Sequence, residues 1–356
     1  MSSISKAQAA ATFKDRVAQF WNWYPTVAEQ LFDAIENGRL GDLTSEVEEF
    51  MDNVLPGMYW VFGPGENGGH SFTVTGEGDL PKQLLAEYWH SRAIEIPNWT
   101  FHGSKQGVPL ESLKGMAIQL GEQEQVDVEN FLLKTCVDEE SQLIDVVAWH
   151  PSLALVPDEH HMQILFLLLD EALGEFGTQT WLGEIKAQPF VADGDTRPLF
   201  ELPEFIEQVN KYYQWENLSP LKSYTGYQVP EQRDTRRGDT VVGVTCVPNL
   251  VFDLLENKGR LPEDPLEGMG AEFAFLAIDG SVFPEGKQSD VRANIEDALS
   301  DALVCELSGR TLGGAFGLSE SYIDLLLFDG DNSRRVVLET LKELQLHGRS
   351  RLESFV

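Results

Sequence analysis

Between residues 12 and 36, apolar side chains recur every three to four positions: Phe13, Val17, Phe20, Trp21 and Tyr24, then Val27, Leu31, Ala34 and Ile35. That period predicts helix, and Pro25, a residue favoured in the first helical turn, divides the pattern into two linked helices with Gly38 as the stop. A third short helix follows over "LTSEVEEFMDNVL". The text then turns strand-like: "MYWVFG" and "HSFTVTGEG" around the glycine-rich "PGENGG" predict a hairpin. "GDLPKQLLAEYWHSRA" predicts a helix with Asp79 as N-cap and Pro81 near its first turn. Strands follow at "NWTFHGSKQ", "VENFLLKTCVD" and "QLIDVVAWHP", the last two flanking the acidic turn "DEES". The helix opening at "DEHHMQILFLLLDEALGE" (158–175) and a strand "TQTWLGEIKAQP" close a first unit.

The polar, turn-rich "VADGDTRPLFE" places a boundary near residue 195. Three regions result: an N-terminal α+β domain over 1–195 with leading helices, a connecting segment over 196–239, and a C-terminal α+β domain over 240–356. The connector carries a helix over "PEFIEQVNKYYQW" and runs through "RDTRRGD". The last region reads "TVVGVTCVP", "EFAFLAID", helix "SDVRANIEDALSDAL", "GRTLGGAFG", strand "SYIDLLLFD" and helix "NSRRVVLETLKELQL". Both halves contain a helix with paired carboxylates before Ala-Leu, then a strand containing Leu-Gly. The order of strands and helices is that of a ferredoxin-like, split βαβ unit. The expected fold is therefore α+β with two related ferredoxin-like halves behind N-terminal helices.

The segments "FWNWY", "SFTVTGEGD", "NWTF", "LLLDEALGE…WLGEI" and "LGGAFG…YIDLLLFD" resemble a family of bacterial proteins known as a domain of unknown function. The resemblance implies an α+β bacterial cytoplasmic protein and assigns no activity, cofactor or catalytic residue.

Charge changes the picture more than composition does. The chain of 356 residues carries 58 acids against 26 Lys plus Arg, a formal net charge of −32. Such a surface repels phosphate backbones and anionic lipid, which argues against nucleic-acid and membrane partners. It suits a basic protein partner, or adaptation to salt. Cys136, Cys246 and Cys305 are widely spaced, which argues against a disulfide framework or a structural zinc site. No apolar stretch reaches the roughly 18 residues of a membrane span, and the N-terminus lacks a signal-peptide core, so a cytoplasmic location is expected.

Most tempting motifs fail on context. "GRTLGGAFG" (309–317) matches an acyl-CoA loop, but a strand follows it where a helix N-terminus would be needed, so it reads as a glycine-softened strand. "DGDN" (329–332) lacks the later residues of a calcium loop and reads as a turn and helix cap. "RGD" (237–239) is chance in a cytoplasmic chain.

The 158–175 stretch is left. Its apolar run over 164–169 predicts a helix buried on every side and ended after Gly174. Asp170, Glu171 and Glu175 then fall at a helix C-terminus, where the macrodipole disfavours carboxylates, so a lysine, an arginine, a cluster of N–H groups or a metal should compensate them. Asp170 in particular, after the buried run, should have such a partner. These three acids and Trp181 are the candidate binding residues. At the other end, His150, His160 and His161 are candidate catalytic residues: three imidazoles there would make sense as a zinc or general-base site. The simpler reading leaves an exposed first helical turn and no metal or other cofactor. The expected function is a non-enzymatic cytoplasmic protein-binding role, of interaction, regulatory or immunity type. The alternative is a metal-dependent hydrolase with a histidine-based site.

Overall fold

The computed structural model describes residues 11–120, 124–189, 194–216, 219–230 and 235–356. It is a mixed α+β protein. In chain order the elements begin with α1 (Phe13–Glu36), α2 (Gly41–Val54), β1 (Tyr59–Pro64), β2 (His70–Thr75), α3 (Leu80–Ser91) and β3 (Trp99–His102). Next come α4 (Leu110–Lys114), β4 (Ala117–Leu120), β5 (Glu124–Asp127), β6 (Leu132–Asp138), β7 (Leu143–Trp149), α5 (Asp158–Trp181), β8 (Leu182–Ala187), β9 (Arg197–Pro198) and α6 (Leu202–Tyr213). The chain closes with β10 (Thr225–Gln228), β11 (Thr240–Thr245), α7 (Pro248–Glu256), β12 (Glu272–Asp279), α8 (Gln288–Cys305), β13 (Gly309–Gly317), β14 (Glu320–Leu327), α9 (Gly330–Glu343) and β15 (Ser350–Ser354).

Two compact units form, and they are interleaved. One comprises Met1–Phe72, Asp79–Phe101 and Ser223–Val356; the other comprises Thr73–Gly78 and His102–Lys222. The boundary expected near 195 therefore lies inside the second unit, where Arg197 and Pro198 pair with β6.

In the first unit, α1 opens on a capping box: the Asp15 N–H donates to Thr12 Oγ1, and the Thr12 N–H donates to the Asp15 carboxylate. The two expected helices are one. Phe20 and Tyr24 before Pro25, and Ala28 and Leu31 after it, bury along a single face, which outweighs the hydrogen bond that an exposed interior proline cannot donate. Phe20 sits at the middle of an aromatic core, with the rings of Trp21, Tyr24, Phe72 and Trp89 centred 5.0 to 5.6 Å away. Asp79 caps α3 as expected, accepting from the Lys82 N–H. Strands β1, β2 and β3 form a small sheet in that order.

The larger sheet of this unit runs β10-β11-β13-β14-β12-β15, each neighbour antiparallel. Helix α8 links β12 to β13 and α9 links β14 to β15. Both helices pack on the same face: Leu276 and Ile278 of β12 and Ile323 and Leu325 of β14 share a core with Leu299 of α8 and Val337 of α9. The opposite face holds a fully buried ion pair between Arg237 and Asp324, with the guanidinium over the rings of Phe275 and Tyr322 at 5.0 and 4.7 Å. Asp239 accepts hydrogen bonds from Tyr322 Oη and Ser319, so both charged residues of "RGD" have structural partners. "GRTLGGAFG" is strand β13, bulged between Thr311 and Gly313. Gly313 sits at φ 113°, where a Cβ would lie 2.2 Å from the Val244 carbonyl oxygen.

In the second unit, a sheet ordered β8-β7-β6-β9 packs against α5 through Leu133, Ile144, Val146 and Ala148 on the sheet side and Ile164, Leu165 and Leu168 on the helix side. Burial of α5 is one-sided. Phe166 and Leu167 are 43% and 46% exposed, against the expectation of burial all round. Gly174, at φ 74° and ψ 164°, interrupts the helix without ending it. Helix resumes through Trp181, so the strand expected from Thr178 begins only at Leu182. Here α5 joins two adjacent parallel strands, β7 and β8, whereas in the first unit β14 lies between β12 and β13.

Candidate functional site

The interruption at Gly174 changes the meaning of the carboxylates. Glu175 begins the second helical piece of α5, where the backbone N–H groups favour negative charge. Its buried carboxylate accepts from Thr75 Oγ1, from the Gly78 N–H at 2.8 Å and from the Lys105 N–H at 3.3 Å. In return, the Glu175 N–H donates to the Lys105 carbonyl at 2.9 Å. Glu171 forms an ion pair with Lys105 Nζ. The compensation expected above all at Asp170 is thus found at the other two acids, Glu171 and Glu175. Asp170 has its pKa raised above the ordinary carboxylate value, chiefly because burial desolvates it, with Glu175 and Glu171 adding repulsion, while the nearby Thr178 hydroxyl donates to the Gly174 carbonyl. This cluster is a clamp: one carboxylate ties segments 75–78 and 105 to the kink in α5. Trp181 is buried and stacks on Trp215 with centroids 6.4 Å apart, as part of the core.

Two of the three histidines are committed elsewhere. His150 is buried beside the Phe131 ring, its Nδ1 accepting from the Ser152 N–H at 3.0 Å and its Nε2 3.7 Å from Asp127. Burial pushes its pKa below the usual imidazole value, although Asp127 opposes the shift. His161 Nε2 lies 2.7 Å from the Leu153 carbonyl and 2.8 Å from that of Val156, so it carries the proton and donates to both. His160 is exposed, with Glu159 at 3.8 Å. Two of the three imidazoles are therefore turned to local backbone, and among the described residues no group of three or more His, Cys, Asp or Glu could hold a metal ion.

A groove of about 740 Å³ in the same unit is lined by Lys114, Arg197, Phe200, Glu204 and Phe205. Its cations already lie over its own rings, Lys114 over Phe200 at 5.1 Å and Arg197 over Phe205 at 3.6 Å.

The feature that the sequence reading did not pick out is in the first unit. On the helix-bearing face of the six-stranded sheet, α8 and α9 fully bury Leu276, Ile278, Ile323 and Leu325. Val242 and Val244 of β11 are 46% and 38% exposed. They belong to that same face: Val244 pairs with Gly314, which pairs with Ile323, and Val242 pairs with Phe316, under the Arg292 guanidinium of α8. The opposite face of β11 is closed, because a Cβ on Gly243 would strike the Tyr227 ring, which itself meets Phe252 of α7. One side of β10 and β11 is thus packed and the other is an open strip, apolar at Val242 and Val244 of β11 and carrying Gly226 and the exposed Gln228 on β10. Its wall is the α8 row Arg292, Glu296, Ser300 and Val304, spaced one helical turn apart. At one end, Tyr224 and Val304 also line a hollow of about 380 Å³ that contains the Arg310–Glu87 ion pair at 2.6 Å. The alternation in "TVVGVTCVP" signals such a half-covered strand, but cannot say which face is left open. No protein-family model, curated protein or solved structure matches the chain, and the site is defined by this geometry alone.

Proposed function

We propose that the chain is a non-enzymatic protein-binding component of a bacterial cytoplasm, of regulatory or immunity type, that receives a basic protein partner. One observation carries this reading: in a chain of net charge −32, the helix side of β11 presents Val242 and Val244 to solvent beside the acidic helix α8. Apolar positions beside like-signed charge suit an interface whose partner brings the opposite sign. The split βαβ reading of β12 to β15 belongs to the same proposal. It is supported by the order β13-β14-β12-β15 with both connecting helices on one face. Kinship between the two halves is likewise proposed, on the shared helix-then-strand text alone.

The test is association of the purified protein with its purified partner, first trapped by cross-linking at low salt. Affinity should fall steeply as salt rises from about 50 to about 500 mM, since exposed charges are screened over that range. Association indifferent to salt, or stoichiometric zinc or manganese in the purified protein, would overturn the reading.

A further inference from the structure

We infer that the open strip over β10 and β11 takes one amphipathic, basic α-helix from the partner, laid beside α8 as a third helix on the sheet. The inference rests on the protein-binding reading and names the element that does the binding.

Dimensions set the occupant. Neighbouring strands lie about 4.8 Å apart, and a helix with its side chains is about 10 Å wide, so one helix covers roughly two strands. Six strands in the order β10-β11-β13-β14-β12-β15 therefore have room for three helices on a face, and α8 and α9 supply two. Among the described residues, the vacant width is that of the two remaining strands. β11 has six residues, about 20 Å at strand rise, which matches about 13 residues of helix.

Chemistry sets its faces. The floor is apolar at Val242 and Val244, Gly226 of β10 has open space above its Cα, and the exposed Gln228 closes the outer edge of the floor. The hollow beyond Tyr224, walled by Leu84, Tyr88 and Phe328, has the volume to admit one anchoring apolar side chain. The flank is α8, whose row facing the strip holds Arg292 and Glu296, paired with each other at 3.5 Å. Its acids Asp290, Asp297 and Asp301 lie on the outer side of the helix, opposite the buried Ile295, Leu299 and Leu303. A helix with an apolar stripe toward the sheet and lysine or arginine along its outer edge, in reach of those outer acids, satisfies both. An acidic or wholly polar helix satisfies neither.

The probe is a synthetic 14-residue peptide with leucine at helical spacing and lysine elsewhere, tested against the full chain. Two controls are a scrambled peptide of equal composition and a leucine–glutamate version. The helical lysine peptide should gain helicity on binding and shift the amide resonances of β10, β11 and α8. The double variant Val242→Thr, Val244→Thr keeps shape at two exposed positions, so the fold should persist, and it should weaken that peptide by roughly tenfold while leaving the scrambled one unchanged. Equal binding of helical and scrambled peptides, unaffected by the double variant, removes the groove but leaves an acidic surface that binds basic protein. If no lysine peptide associates even at low salt, the protein-binding reading falls as well. A dimer of the chain that the double variant dissociates would make a second copy the occupant and overturn the partner helix.

Discussion

At the residue scale, the three acids of "DEALGE" separate cleanly. Glu175 is a buried acceptor of three hydrogen bonds, and Glu175→Gln exchanges charge-assisted bonds for neutral ones and turns a donor toward N–H groups. It should cost about 2 kcal/mol in thermal or denaturant unfolding. Asp170 should behave in the opposite sense. Its folded pKa is raised by burial, so the folded state binds more protons than the unfolded one just above the ordinary carboxylate value. Stability therefore falls as pH rises through that window. Asp170→Asn stays neutral throughout, and should raise the melting temperature at pH 7 while matching the parent near pH 4. A loss of stability at pH 7 would mean that the ionised form has a stabilising partner that outweighs its burial. The histidine pair divides in the same way: His160→Ala should be silent, whereas His161→Ala strips a donor from two carbonyls and should cost about 1 to 2 kcal/mol. The sequence showed that these acids break the helix-dipole rule. It could not show what resolves it, because Thr75 and Lys105 reach Glu175 from 100 and 70 residues away.

At the element scale, periodicity located most helices and strands, and failed where packing overruled a local signal. Pro25 reads as a boundary, yet the apolar face runs unbroken through it because the aromatic core lies along one side of α1. Gly174 reads as a stop and is only a kink. The piece after it is held by the Glu175 N–H donating to the Lys105 carbonyl, a contact that no local pattern encodes. A Cβ at Gly174 would lie 2.8 Å from the Lys105 carbonyl oxygen and 2.9 Å from the Gly107 nitrogen, at a φ that side chains avoid. Gly174→Ala should accordingly cost at least about 1 to 3 kcal/mol, read as lost unfolding free energy. An alanine tolerated there without loss would mean that the kink is soft. The open strip was half legible: alternation along β11 marked two faces, but coverage of one by α7 and neglect of the other by α8 depend on strand order.

At the scale of the whole molecule, composition carried the strongest signal, and domain boundaries the weakest. The turn-rich text near 195 belongs inside a unit, since a chain that leaves one unit at residue 72, returns at 79, leaves again at 101 and returns at 223 has no single linker to find. Charge, by contrast, needs no topology. The chain has 58 acids, all but a few such as Asp324 and Glu175 at its surface of 18917 Å². Neighbouring acids therefore stand roughly 18 Å apart, and their mutual repulsion is felt at about 10 mM salt, where the screening length is about 30 Å. By about 0.1 M that length is about 10 Å, shorter than the spacing, and little repulsion is left to relieve. If the acidity exists for partner recognition, the melting temperature should climb between about 10 and 100 mM salt and then level off, while association with a basic partner weakens across the same range. A protein adapted to salt should instead go on gaining stability into molar concentrations. Melting curves across that whole series decide between them. A plateau above about 0.2 M supports the partner. A continued rise would assign the charge to the solvent and leave only the apolar strip to argue for binding.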